Sequence, residues 1–221
     1  MGALASYRTW VFDCDGVLLD SNSLKTEAFR AEAEPLGPLV AEEFVRYHQA
    51  NGGVSRQVKA RFLFEQILGR TADAAEIDKF VRGFAQRVRA GLAAVRADDA
   101  LLPLLLELRT RQCRLFVVTG GDEGEVRQEL RSRGLIAHFA GVYGSPRSKP
   151  EILAGLDRAG LLERPGALIG DGALDAECAE RFGLDFVFVE HWSEWAGWQE
   201  QIPDRAILVH DLAALLALLP G

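Results

Sequence analysis

The sequence predicts an α/β protein, built as a doubly wound, Rossmann-like parallel sheet with an inserted all-helical cap domain. Short apolar runs alternate with helical patterns along most of the chain, as expected for a parallel sheet that is covered on both faces. One long stretch after the first run carries helical patterns alone. With 221 residues, 48% hydrophobic and 26% charged, the chain can bury one sizeable core together with a modest inserted domain.

Six apolar runs are short enough to be buried strands. The first covers residues 7–13 (YRTWVFD) and stops before the turn-forming pair Asp15-Gly16. The later runs cover residues 115–119, 139–143, 167–171, 186–189 and 206–209, of which 139–143 has the weakest strand pattern.

Helices are predicted between these strands. Residues 123–133 form one helix, which Gly134 ends, and residues 174–182 form another, which Gly183 ends, because glycine readily takes the left-handed conformation after a last helical turn. Strand and helix therefore alternate outside the long helical stretch.

Residues 22–96 are predicted to form the helical cap domain, with residues 1–21 and 97–221 as the Rossmann-like catalytic core. The hydroxyls of residues 21–23 (SNS) can cap the first cap helix, and Ser55 can cap a later one.

Charge and hydropathy restrict the partners. The net charge of -7 argues against a nucleic-acid partner, because phosphate backbones are bound by basic stripes and none is present. No apolar run approaches the roughly 20 residues that span a bilayer, so no membrane partner is expected. Any phosphate that the protein binds is therefore expected to be small.

Cys14, Cys113 and Cys178 are far apart and form no CxxC pair, which favours a reducing compartment and a cytoplasmic location. The three tryptophans of residues 192–198 could form a partner surface, although packing beneath a loop is the preferred interpretation. We expect a monomer or a weak dimer.

An acidic pair follows the first strand. Alternation along an extended chain turns the side chains of Asp13 and Asp15 to the same side. Such a pair alone could be a turn cap or a solvated strand end, so its interpretation depends on three later features.

Thr119-Gly120 stands where the second strand ends and is predicted to place a hydroxyl and open backbone N–H groups at a helix N-terminus, which suits phosphate. Lys149 also stands at a predicted helix start, where a cation is unfavourable unless an anion lies nearby. Asp171 and Asp175 offer the hard oxygen ligands that Mg²⁺ prefers. All follow the carboxyl ends of strands, where doubly wound sheets bind ligands.

The order of these motifs resembles that of the haloacid dehalogenase superfamily of phosphotransferases, over essentially the whole chain. Residues 13–21 (DCDGVLLDS) resemble the DxDGVLxDS pattern of the branch that contains phosphoglycolate phosphatases and beta-phosphoglucomutase. Gly172 departs from the pattern, since serine is commoner there, and this costs a possible hydroxyl contact but no charge.

The resemblance implies a Mg²⁺-dependent phosphohydrolase that acts on a small phosphorylated metabolite, a sugar or sugar-acid phosphate. Asp13 would be the nucleophile and would form an aspartyl phosphate, and Asp15 would act as general acid and then as general base. Thr119 and Lys149 would complete the catalytic set and, with Gly120, bind the phosphoryl group.

The same resemblance implies the metal ligands. Mg²⁺ would be held by the side chains of Asp13 and Asp171 and by the backbone carbonyl of Asp15. The carboxylate of Asp175 would either bind the ion directly or contact its ligands.

Residues 53–56 (GVSR) resemble the substrate-recognition loop of beta-phosphoglucomutase-like caps. Arg56 could bind a distal anionic or hydroxyl group of the substrate, and Lys59 is a weaker second candidate. Alternatively, Arg56 is a solvated residue at a helix start.

Two other functions stay open. A phosphomutase of the beta-phosphoglucomutase type would form the same aspartyl phosphate but return the phosphoryl group to the substrate, for which it needs a second phosphate site in the cap. A non-catalytic phosphate-binding or regulatory module is the third candidate, and the cap insert, Asp15, Lys149 and Asp171 count against it.

Overall fold

The protein, described here by a computed structural model over residues 4–219, contains a six-stranded parallel sheet in the order β3-β2-β1-β4-β5-β6. Residues 1–3 and 220–221, which belong to the predicted core segments, lie outside the described residues. The strands are β1 Thr9–Phe12, β2 Arg114–Asp122, β3 Gly141–Ser145, β4 Gly166–Gly170, β5 Asp185–Val189 and β6 Ile207–Val209. Each predicted run overlaps one strand, so the predicted parallel α/β fold is confirmed.

Ten α-helices are present among the described residues. Four follow β1: α1 Asn22–Ala33, α2 Pro38–Ala50, α3 Arg56–Phe62 and α4 Ala74–Gly91. The others alternate with the later strands: α5 Leu101–Thr110, α6 Glu123–Ser132, α7 Lys149–Arg158, α8 Ala173–Arg181, α9 Trp198–Gln201 and α10 Leu212–Leu218. Within residues 4–219 no helix is both long enough and apolar enough to cross a membrane.

Helices cover both faces of the sheet because side chains alternate along each strand. Trp10 and Phe12 of β1 point to one face and share an apolar core with residues of α5, α6 and α10. Val11 points to the other face and shares a second core with residues of α7 and α8. The sheet is therefore buried on both sides, as expected for a doubly wound fold.

The inserted helices α1 to α4 have an apolar core of their own, rich in phenylalanine: Phe29, Phe44, Phe64, Phe80 and Phe84. The insert leaves and rejoins the sheet at neighbouring points, since the backbone N–H of Asp20 donates to the carbonyl of Arg96 at 2.9 Å. The all-helical insert is thus present, and its division from the core at residues 21/22 and 96/97 stays a prediction.

The capping hydroxyls behave differently at the two predicted helix starts. Ser55 accepts a hydrogen bond from the Val58 N–H at 3.4 Å and caps α3 as predicted. Ser21 occupies the N-cap position of α1 but caps nothing. Its hydroxyl instead donates to Oδ1 of Asp15 at 2.6 Å, because a carboxylate forms the stronger, charge-assisted hydrogen bond.

Candidate active site

Asp13 and Asp15 lie just beyond the carboxyl end of β1 and open onto the same cleft between the sheet and the inserted helices. The cleft is also lined by Gly52 and Gly53, from the loop between α2 and α3, and by Asp171 after β4. The structure therefore places the two aspartates of the motif on one site, as the alternation pattern indicated.

Asp13 is ion-paired with Lys149. Oδ2 of Asp13 lies 2.9 Å from Lys149 Nζ, which also donates to Oδ1 of Asp175 at 2.6 Å. Lys149 is the first residue of α7 and is only 1% exposed. Burial acts to lower its pKa, but the two carboxylates outweigh burial and raise the pKa above the usual lysine value. Lys149 therefore remains a cation at neutral pH.

Asp15 has separate partners. The hydroxyl of Ser21 donates to Oδ1 at 2.6 Å, and Lys25 Nζ donates to Oδ2 at 2.5 Å. Burial acts to raise the pKa of Asp15, but the charge of Lys25 and these hydrogen bonds lower it overall. Lys25 was not among the predicted site residues, although its spacing from Ser21 is a detectable signal: positions four apart share one helix face.

Asp13, Asp171 and Asp175 form a buried acidic cluster in which one carboxylate oxygen of each lies within 4.8 Å of the others. Burial raises the pKa of Asp13 to about 6, although the charge of Lys149 opposes this rise. Burial, followed by repulsion from Asp13 and Asp175, raises the pKa of Asp171. Oδ2 of Asp175 is buried without a hydrogen-bond partner. Three hard oxygen donors, with Lys149 as the cation bonded to the cluster, fit a divalent cation such as Mg²⁺. The Asp15 side chain is outside this cluster.

Asn22 and the loop after β5 orient Asp171. Asn22 Nδ2 donates to Oδ2 of Asp171 at 2.6 Å and to the carbonyl of Trp192 at 2.9 Å. Ser193 Oγ donates to the backbone carbonyl of Asp171 at 2.6 Å. The start of α1 is thereby tied to the acidic cluster, a connection that the sequence analysis did not identify.

The tryptophans of this loop are packing residues. Trp195 is buried with its ring edge-on to Phe188 of β5, at a centroid distance of 5.8 Å. Trp198 contacts the same ring at 4.8 Å. Packing beneath the loop, the preferred interpretation, is confirmed for these two residues.

The segment after β2 differs from its predicted form. Thr119 is fully buried, and its Oγ1 accepts a hydrogen bond from the N–H of Gly121 at 3.1 Å. The strand continues to Asp122, whose side chain caps α6, so Thr119 and Gly120 do not lie at a helix N-terminus. The prediction of a helix terminus at these residues is wrong, because Asp122 is the stronger capping residue.

Gly120 instead lies against the loop between α2 and α3, which we call the cap loop. A Cβ atom added to Gly120 would lie 2.0 Å from the carbonyl oxygen of Gly53. Only a residue without a side chain lets the cap approach the core so closely. Gly120 therefore lies in the cavity wall where cap and core meet.

Arg56 is not a solvated residue, because its side chain is 14% exposed and bridges the cap to the core. It donates to Glu125 at 2.7 Å and lies 3.4 Å from Asp122. The alternative of solvent exposure is wrong, while a substrate contact for Arg56 stays a prediction.

Residues 10–189 match a family described as haloacid dehalogenase-like hydrolase. The chain belongs to this family. The predicted family is therefore confirmed. As in other haloacid dehalogenase-like hydrolases of known structure, the chain combines a parallel sheet with helices on both faces.

Three individual similarities accompany the family match. The chain is 30% identical over 189 residues to the tyrosine-protein kinase PtkA of Mycobacterium tuberculosis, covering 81% of the chain and 60% of the kinase. It is 25% identical to a phosphoglycolate phosphatase of Rhodobacter capsulatus, over 96% of each protein. The structure of a predicted phosphoglycolate phosphatase from Haemophilus somnus superposes with a TM-score of 0.74 at 20% identity, covering 98% of this chain and 99% of that one.

Proposed function

We propose that the protein is a Mg²⁺-dependent phosphohydrolase that acts on a small phosphorylated metabolite, a sugar or sugar-acid phosphate. The observation that carries the proposal is the pairing of Asp13 with Lys149 and of Asp15 with Lys25 on one cleft. Two carboxylates that face the same cleft with different partners can take different roles in one reaction.

In the first half-reaction, a carboxylate oxygen of Asp13 attacks phosphorus and the bond from phosphorus to the ester oxygen breaks. Asp15 gives its proton to the departing oxygen, and the phosphoryl group stays on Asp13 as an aspartyl phosphate. The negative charge of an arriving phosphate raises the pKa of a neighbouring carboxyl, which favours the protonated Asp15 that this step requires.

In the second half-reaction, water attacks the same phosphorus. Asp15 accepts the proton of the water, the bond from phosphorus to Asp13 breaks, and inorganic phosphate leaves. Lys25 and Ser21, which lower the pKa of Asp15, suit the ionised form that accepts this proton. Both carboxylates return to their starting states.

The positive charge at the phosphoryl site comes from Lys149 and from a divalent cation. The side chains of Asp13, Asp171 and Asp175 would hold Mg²⁺, with the backbone carbonyl of Asp15 as a further ligand. A bound Mg²⁺ supplies charge that offsets the developing negative charge on the phosphoryl oxygens. Thr119 and Gly120, between β2 and α6, are the residues we propose to orient that group.

The phosphatase relatives support hydrolysis over phosphoryl return. A phosphoglycolate phosphatase aligns with 96% of the chain. The phosphomutase alternative needs a second phosphate site in the cap, and Arg56, the residue that the sequence analysis assigned to distal contacts, is paired with Glu125. Release of inorganic phosphate, measured against conversion of the substrate into an isomer, separates the two reactions.

The test is a panel of phosphate esters assayed with and without Mg²⁺, using wild type and Asp13→Asn. We expect phosphate release that requires Mg²⁺, and loss of at least about 10³-fold in kcat for the variant, because it removes the nucleophile. A circular dichroism spectrum equal to that of wild type is the control for folding. Phosphate release by Asp13→Asn at the wild-type rate would contradict the mechanism.

A further inference from the structure

A lysine of the cap is buried against the cavity without a carboxylate partner. Lys59 of α3 is 2% exposed. Its Nζ lies 2.6 Å from Nδ1 of His48 and 3.3 Å from the His48 carbonyl oxygen, and 5.8 Å from the centre of the Phe29 ring. These contacts are with neutral groups. A buried ammonium without an opposite charge is costly for a fold to maintain. Burial, followed by the charge of Lys25, accordingly lowers the pKa of Lys59 to about 7, and a carboxylate placed beside it would raise that pKa again and favour the ammonium.

The other cationic side chains that line this cavity are paired. Lys25 forms an ion pair with Asp15, and Arg56 forms ion pairs with Glu125 and Asp122. Among the cations that the structure describes around the cavity, Lys59 therefore stands alone in lacking an ion pair, and a ligand carboxylate could supply the opposite charge that it lacks.

The cavity connects Lys59 with the proposed reaction centre. Its lining includes Asp15 and Gly120 on the core side and His48 and Lys59 on the cap side. Phe29 and Phe84 form part of an apolar wall. A few polar groups between apolar walls are typical of sites that bind small molecules.

We propose that Lys59, oriented by His48, is an anion-binding subsite that recognises a carboxylate at the end of the substrate opposite its phosphoryl group. The inference rests on the proposed function and adds the substrate class, a phosphate monoester that also carries a carboxylate. One ammonium balances one carboxylate charge, whereas a second phosphate dianion would leave charge uncompensated once Arg56 is engaged with Glu125.

His48 is a positioning residue in this subsite. Burial, followed by the charge of Lys59, lowers the pKa of His48 to about 2, so its ring is neutral and Nδ1 accepts from Lys59. This hydrogen bond directs the ammonium, a second N–H of Lys59 donates to the His48 carbonyl oxygen, and the third N–H is available to a ligand carboxylate.

The kinetic test compares matched esters that differ in one carboxylate: 3-phosphoglycerate with glycerol 3-phosphate, and 6-phosphogluconate with glucose 6-phosphate. Lys59→Met is expected to lower kcat/KM about 10- to 100-fold for the carboxylate member, mainly through KM, as for loss of a charged hydrogen bond. For the ester that lacks the carboxylate, kcat/KM should change less than about threefold. Lys79→Met, at an exposed lysine of α4, is the matched control and should change neither.

Equal losses of kcat/KM in Lys59→Met on both esters of a pair, or no loss on either ester, would overturn the proposed subsite. A wild-type preference for a bisphosphate over both carboxylate esters would overturn the carboxylate assignment. Lys59→Gln gives a second variant, and His48→Gln should show part of the same KM effect because the glutamine can still accept a hydrogen bond.

Calorimetric binding separates failure of this inference from failure of the proposed function. We would titrate the full chain with 2-carboxyethylphosphonate and with propylphosphonate, which cannot be hydrolysed as esters. Tighter binding of the carboxylate compound, lost in Lys59→Met and kept in Lys79→Met, supports the subsite even if no ester is hydrolysed. Equal binding of both compounds by wild type overturns it even if hydrolysis is observed.

Discussion

The acidic motif places two aspartates in contrasting surroundings only two residues apart. Asp13 belongs to a cluster of three carboxylates, where burial raises its pKa. Asp15 faces Ser21 and Lys25, which lower its pKa. The difference arises because Asp13 faces α7 and α8 while Asp15 faces the start of α1, so the sequence neighbours are held by different parts of the fold.

Lys25→Met tests how far Asp15 depends on its cation. The substitution keeps the length of the side chain but removes the hydrogen bond to Oδ2 and the compensating charge. We expect kcat to fall about tenfold or more, since a misplaced acid or base loses part of the 10²- to 10⁴-fold that such catalysis supplies. Steady-state kinetics would measure this, with Lys79→Met as the control. A wild-type kcat in Lys25→Met would show that Ser21 alone suffices.

His48→Gln tests whether burial keeps His48 unprotonated, because the protonation of this residue affects how the free energy of unfolding depends on pH. The folded-state pKa of about 2 lies below the ordinary value of 6.5, so the unfolded chain takes up a proton below pH 6.5 and the folded chain does not. Stability is therefore lost as pH falls, by about 2 kcal/mol between pH 7 and pH 5 for this one group. Lys59 and Lys25, the charged groups that act on His48, disfavour the imidazolium further.

Urea unfolding of wild type and His48→Gln at pH 7 and pH 5 provides the measurement. The variant should lose about 2 kcal/mol less than wild type over this interval, because other titrating groups are common to both proteins. Equal losses would mean that His48 becomes protonated in the folded protein.

The grouping of the candidate site residues at one edge of the sheet was predictable from the sequence, whereas contacts that depend on the packing of the inserted helices were not. The order of Asp13, Thr119, Lys149 and Asp171 locates the site because parallel strands bring their carboxyl ends to one edge. The isolation of Lys59 from carboxylates is a property of tertiary packing, and no spacing in the sequence reports it.

At the scale of elements, the contact between the cap loop and β2 depends on two glycines. Gly120→Ala would place a methyl group 2.0 Å from the Gly53 carbonyl oxygen, so the loop between α2 and α3 must move away. We expect kcat/KM to fall at least about tenfold, because the cap can no longer exclude water from the cleft.

Gly155→Ala is the matched control for that experiment. Its added methyl group meets no atom within 4 Å, and position 155 lies inside α7. Replacing glycine by alanine in a helix should stabilise the protein by about 0.5–1 kcal/mol and leave kcat/KM unchanged. Thermal unfolding and kinetics on both variants would decide. A Gly120→Ala enzyme with wild-type kcat/KM would mean that close approach of the loop is unnecessary.

The strands were predictable because each is a short apolar run with polar or turn-forming neighbours, and even the weak run at 139–143 overlaps β3. Boundaries were less predictable. The strand β2 extends three residues beyond the predicted end at Thr119 because its last residues contact the cap loop and β3. Ser21 failed as a cap because Asp15, six residues earlier, attracts its hydroxyl. Both differences come from contacts between distant elements.

At the scale of the whole molecule, the sheet and the inserted helices meet through charged and polar contacts. Arg56 of α3 binds Glu125 of α6, and Thr26 of α1 donates to Glu194 of the loop after β5 at 2.5 Å. Polar interfaces between parts of one chain are typical of parts that move relative to each other. The arrangement therefore suits a cap that opens for substrate and closes for reaction.

The acidic cluster should couple metal binding to the stability of the molecule as a whole. Asp13, Asp171 and Asp175 repel one another in the metal-free protein, and Lys149 is the cation bonded to this cluster. Mg²⁺ at about 100 times its Kd should stabilise the fold by about 2.7 kcal/mol. For a chain of this size, that corresponds to a rise in Tm of about 5–10 °C.

Asp171→Asn should stabilise the metal-free protein and weaken the stabilisation by Mg²⁺. Removal of one buried carboxylate relieves repulsion, so the metal-free variant should have a higher Tm than metal-free wild type and little further rise with Mg²⁺, a stability gain at the expense of the site. Asp99→Asn removes one charge at an exposed position. The free energy of unfolding of this control, without and with Mg²⁺, should stay within about 0.5 kcal/mol of wild type. Differential scanning calorimetry with EDTA and with Mg²⁺ gives both quantities. An unchanged Mg²⁺-dependent rise in Asp171→Asn would place the cation elsewhere, because a cation held by this cluster loses one of its carboxylate ligands in that variant.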